Sequence, residues 1–135
     1  MTALLLLLLL VASCSRKAHH AAAEAEEEAL ARTEFTNRIE NFFEYEPLKA
    51  GKASQFLIHL TDLNDGSPVE KAEVTLNIQP KGGGTPAETK AKVGKVTGIY
   101  VAEVTIPKAG DYDIEFRVKA EKLDEQLPLT GFKVE

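Results

Sequence analysis

From Glu34 onward this chain is written in period two. Phe56, Ile58 and Leu60 alternate with Leu57, His59 and Thr61; Val74, Leu76 and Ile78 alternate with Thr75, Asn77 and Gln79. Tyr112, Ile114, Phe116 and Val118 alternate with Asp113, Glu115, Arg117 and Lys119. Successive side chains of a strand point to opposite faces, so each run predicts a strand with one face in a core and one toward water. Tyr100, Ala102, Val104 and Ile106 make a fourth run, with a more apolar opposite face that carries Ile99 and Val101. No helical period appears after residue 34, so neither a helical hairpin nor an α/β fold is encoded there.

Turn signals separate these runs. They are Asn64-Asp65-Gly66-Ser67-Pro68, Lys81-Gly82-Gly83-Gly84-Thr85-Pro86, Thr97-Gly98 and Pro107-Lys108-Ala109-Gly110, all rich in residues that reverse a chain. Strands are expected at about 38–46, 53–63, 72–79, 88–95, 99–106, 111–120 and 126–134. Short antiparallel strands at this spacing predict an all-β, immunoglobulin-like β-sandwich of about seven strands. Ala109-Gly110-Asp111-Tyr112 delivers a tyrosine to the start of one of them. That is the setting of a tyrosine corner, in which the phenol pins the preceding turn, so Tyr112 is read as structural.

The start of the chain is different. Leu4 to Leu10 is followed by Val11-Ala12-Ser13-Cys14, and Cys14 is the single cysteine. An apolar run closed by small residues has the anatomy of a secretory signal, and the cysteine after Val-Ala-Ser makes it resemble a bacterial lipoprotein signal. The resemblance implies cleavage before Cys14 and lipidation of its thiol. Met1, Thr2 and Ala3 carry no side-chain charge, so the terminal amine is the only cation at the start of that signal. Ala3 to Ala12 is too short to span a bilayer, which takes about 20 apolar residues. Three segments follow: a signal peptide at 1–13, an Ala/Glu-rich linker at 14–33 and a sandwich at 34–135. The linker favours helix but cannot bury enough surface to fold alone. His19 and His20 with Glu24 and Glu26 to Glu28 could hold a divalent metal weakly; a solvated acidic spacer is the favoured reading.

Chemistry-bearing constellations are scarce. The chain has no tryptophan, Met1 is its one methionine, and the net charge is -5. A methionine-rich copper site is excluded, and without a basic stripe nucleic acid is not an expected partner. His59 is the one histidine of the expected sandwich, on the strand face opposite Phe56, Ile58 and Leu60, with no motif to orient it as a base. Gly82-Gly83-Gly84 lacks the Lys-Ser/Thr and helix of a phosphate loop and reads as a hairpin loop. No catalytic, cofactor-binding or metal residue is expected, and no enzyme activity.

One stretch carries more than a generic pattern: Glu40-Asn41-Phe42-Phe43-Glu44-Tyr45-Glu46-Pro47-Leu48, then Ala50-Gly51-Lys52-Ala53-Ser54-Gln55-Phe56-Leu57-Ile58-His59-Leu60-Thr61-Asp62-Leu63, then Gly66-Ser67-Pro68-Val69. With Gly98-Ile99-Tyr100-Val101 and Ala109 to Tyr112, it resembles the small N-terminal β-domain of periplasmic adaptor (membrane fusion) subunits of heavy-metal and multidrug efflux pumps of the resistance–nodulation–division class. The resemblance implies a non-catalytic module on the periplasmic side of a membrane, lipid-anchored, with an inner-membrane pump or other efflux components as partners. The helical hairpin, lipoyl-like pair and β-barrel of such adaptors are absent from the 135 residues. Two readings are therefore open: an adaptor subunit cut short, or a free-standing lipidated sandwich that carries a metal or a small ligand.

Overall fold

Alternation of this kind closes into two antiparallel sheets packed face to face. The computed structural model describes residues 27–135; Cys14, the signal segment, His19 and His20 lie outside the described residues. The strands are β1 (Leu30–Phe35), β2 (Ile39–Tyr45), β3 (Ala53–Asp62), β4 (Glu73–Pro80), β5 (Ala87–Lys90), β6 (Lys92–Val93), β7 (Ile99–Thr105), β8 (Gly110–Ala120) and β9 (Leu123–Val134). One sheet has the order β1-β2-β3-β7-β6 and the other β5-β4-β8-β9. This is the expected immunoglobulin-type sandwich, with β8 in the place where a tyrosine corner sits.

Two features depart from the sequence expectation. The strand expected at 88–95 is two short strands in different sheets, β5 and β6, with the chain crossing at Ala91, whose N–H donates to Val74 O at 2.8 Å. The first strand was not expected at all: β1 begins at Leu30, inside the stretch assigned to the linker, and pairs with β2 from Leu30↔Tyr45 to Phe35↔Glu40. Its core-side positions are Arg32 and Glu34, so no apolar alternation betrays it. Arg32 instead closes the seam between the sheets. Its guanidinium lies 4.8 Å from the Phe132 ring centroid and donates to Thr130 O at 2.9 Å.

The core is the sum of the alternate residues. Phe43, Phe56, Phe116 and Phe132 are fully buried between the sheets with Ile39, Ile58, Leu76 and Ile114. The Phe43 and Phe116 rings sit 4.7 Å apart across the sandwich, and Tyr45 stacks on Phe56 at 4.8 Å, separations typical of favourable aromatic pairs. One residue breaks the apolar rule. Asn41 lies on the core face of β2 between Ile39 and Phe43, at 0% exposure, and neither its amide nitrogen nor its oxygen has a hydrogen-bond partner among the described residues. Burying such a group unpaired costs roughly 1–3 kcal/mol per group.

Both ends of the described chain meet at one tip. The loop after β2 receives them: Ala50 N–H donates to Glu135 O at 2.7 Å, Glu135 N–H donates to Leu48 O at 2.9 Å, and Lys49 pairs with Glu27.

Candidate docking face

The two outer faces of the sandwich differ in kind. On the four-stranded sheet the outward positions are Thr75, Asn77 and Gln79 of β4 and Asp113, Glu115, Arg117 and Lys119 of β8. That is the polar face the alternation predicts, with Asn77 Nδ2 donating to Glu115 Oε1 at 3.3 Å. On the five-stranded sheet an apolar cluster of Phe42, Leu57, Ile99 and Val101 stands among the outward Glu40, Glu44, Gln55, Thr61 and Glu103 of the central strands. Cross-strand register places Phe42 opposite His59 and His59 opposite Ile99, with Glu44 opposite Leu57 and Leu57 opposite Val101 in the next row. Side chains directly opposite on one face are close neighbours, so Phe42, His59, Ile99, Leu57 and Val101 form one continuous patch. All five are half-buried by one another, and the Phe42 and His59 rings lie 5.3 Å apart. Phe35 extends the patch on β1, opposite Glu40, at 61% exposure.

His59 is thus not isolated on a wet surface, as the alternation alone would have it. Its ring packs on Phe42, and its Nε2 is enclosed with no partner among the described residues. Around the patch stand Glu40, Glu44 and Glu103, none of which forms an ion pair with a described residue. Lys92, opposite Val101, is the cation at one edge.

The motif residues of the sequence reading are found as turn and brace elements. Pro47 to Gly51 makes the tip loop, where Gly51 adopts φ 75° and its N–H donates to Ile106 O at 2.8 Å. Asp62, at the end of β3, braces the far tip: Arg38 donates to it through Nε and Nη2, each at 3.1 Å, and Asn64 N–H donates at 2.9 Å. The Arg38 bond, and then that of Asn64, hold the Asp62 carboxyl below its ordinary range. Asp65 is lowered in the same way by the Ser67 hydroxyl and N–H.

Tyr112 makes the expected corner: its hydroxyl donates to Lys108 O at 2.8 Å across the turn before β8. The sequence reading missed a second, more buried tyrosine brace. The Tyr100 hydroxyl donates to Val69 O at 2.7 Å and accepts from Ala72 N–H at 3.0 Å, which ties the β3–β4 loop to β7. Its signal was available, since Tyr100 stands on the apolar face of its strand and a buried phenol needs a partner.

Among the described residues no three His, Cys, Asp or Glu side chains are grouped to hold a metal ion, and no helix is long and apolar enough to cross a membrane.

Fold and surface together define a small immunoglobulin-type β-sandwich with one polar outer face and one that carries an apolar patch bordered by carboxylates. Residues 34–117 match the YtkA-like family, and the chain belongs to that family. No curated protein and no solved structure matches it.

Proposed function

We propose that this chain is a non-catalytic docking module of an efflux system of the resistance–nodulation–division class. It is held on the periplasmic side of a membrane by lipid on Cys14, and its sandwich corresponds to the N-terminal β-domain of an adaptor subunit. The observation that supports the reading is the apolar patch of Phe42, Leu57, His59, Ile99 and Val101 on the outer face of the five-stranded sheet, which has no covering element among the described residues. The stretch that resembles adaptor subunits supplies Phe42, Leu57 and His59 of that patch. The tether confines the module to partners near the membrane, and such confinement raises effective concentration enough for weak contacts to suffice.

The test compares wild type, a deletion strain and Cys14→Ala. Wild type carries acyl label and stays with the membrane; Cys14→Ala loses both. The deletion strain loses tolerance to metals or drugs. Membrane retention of Cys14→Ala without label would remove the anchor from the proposal. Unchanged tolerance in the deletion strain would remove the efflux assignment and promote a free-standing lipidated carrier.

A further inference from the structure

We infer that the outer face of the β1-β2-β3-β7-β6 sheet is the interaction surface, and that its partner is a protein segment presenting an apolar ridge flanked by Lys or Arg. Strands whose side chains are apolar on one face alone are those with water on the other; strands apolar on both faces are covered on both. Here the middle of β3 and the start of β7 are apolar on both, through Leu57, Ile99 and Val101 outward and Phe56, Ile58, Tyr100 and Ala102 inward, with Gln55, Thr61 and Glu103 bounding the outward set. The outward set has no covering element among the described residues, whereas the outward positions of β4 and β8 are polar.

Charge selects the occupant. Glu40, Glu44 and Glu103 lie on the same face as the patch by register and form no ion pair with a described residue. Lys92 is one cation against three carboxylates on this face, so a second copy of this chain docked face to face would still bring like charges together. An anionic membrane surface would be repelled too. A basic rim on the partner pairs them, and complementary rims of this sort govern encounter and selection of partner. With five strands about 4.8 Å apart and about five residues along each at about 3.4 Å, the face offers roughly 400 Å². That is about half of a standard side of a stable interface, which suits a contact sustained by a tether. This surface stands on register and charge and does not depend on the efflux assignment.

The experiment uses the full chain in cells. A photo-crosslinking residue is placed at Gln55, the exposed neighbour of Leu57 on this face, and separately at Lys119 on the outer face of the other sheet. The captured polypeptide is identified and its crosslinked segment mapped. Glu44→Lys is then combined with the Gln55 probe. The expected result is capture from Gln55 at least tenfold above Lys119, a mapped segment with apolar residues flanked by Lys or Arg, and loss of most capture with Glu44→Lys. Restoration when the mapped basic residue is changed to Glu would complete the case. Self-crosslinking, lipid adducts, an acidic mapped segment, no capture, or equal yields from both faces would each overturn the inference. Capture of a basic segment from a protein unrelated to transport would keep the surface and remove the efflux reading.

Discussion

Replacing Asn41 with leucine should stabilise this protein. The two side chains have the same number of heavy atoms and the same branching, but leucine's tetrahedral methyls take more room than the planar amide, so the change removes polarity and adds volume. Asn41 is at 0% exposure, flanked on its face by Ile39 and Phe43 and opposite Leu60 on β3, all of which are at most 1% exposed. Its amide nitrogen and oxygen both lack partners among the described residues. Two unsatisfied groups at roughly 1–3 kcal/mol each set the available gain. Fitting the larger side chain into a packed core returns about 1–3 kcal/mol of that. The net is a stabilisation of roughly 1–3 kcal/mol, and asparagine's poor fit to strands acts in the same direction. For a domain of about 100 residues each kcal/mol moves the melting temperature by about 4–8 °C, so Asn41→Leu should melt roughly 5–20 °C higher. Calorimetric melting of the two proteins at pH 7 decides it. A variant that melts at or below wild type would refute the reasoning, because the amide must then have satisfied partners in solution.

The two tyrosine braces should rank in an order opposite to their prominence in the sequence. Tyr100→Phe strands the buried Ala72 N–H and Val69 C=O and should cost roughly 2–4 kcal/mol, whereas Tyr112→Phe loses one part-buried bond and should cost about 0.5–1.5 kcal/mol; chemical denaturation of both variants measures this. Gly98→Ala should destabilise strongly, since φ is +80° there and a Cβ would meet Pro68 Cβ at 2.5 Å; a melting temperature within 1–2 °C of wild type, where about 1 kcal/mol shifts it by 4–8 °C, would refute the close approach. The depressed Asp62 carboxyl contributes stability that is present above the ordinary aspartate value of about 3.9 and is lost as pH falls through its folded value. Asp62→Asn should therefore melt lower than wild type at pH 7 and show a shallower decline from pH 5 to pH 2.

The inner face of this fold was legible because alternation maps directly onto burial. Phe56, Ile58, Leu60, Val74, Leu76, Ile78, Ile114, Phe116 and Val118 all lie in the core where the period places them. Strand β1 was not, because charge at Arg32 and Glu34 masks a strand that is held by ladder pairing and by a cation over a ring. The split of β5 from β6 was equally hidden: a crossing between sheets at a small residue such as Ala91 leaves no break in composition. The apolar outer face was half visible. Leu57, Ile99 and Val101 stand where alternation asks for polar residues, yet the sequence alone does not tell that β3 and β7 are neighbours, and only that adjacency turns three exceptions into one patch with Phe42 and His59.

The bonds between Glu135 and the Leu48–Ala50 loop are reciprocal: Ala50 N–H donates to Glu135 O, and Glu135 N–H donates to Leu48 O. Two segments far apart in sequence therefore share one closure at the rim of the sandwich. Local opening there cannot be confined to either one, since the loop after β2 and the end of β9 lose their partners together.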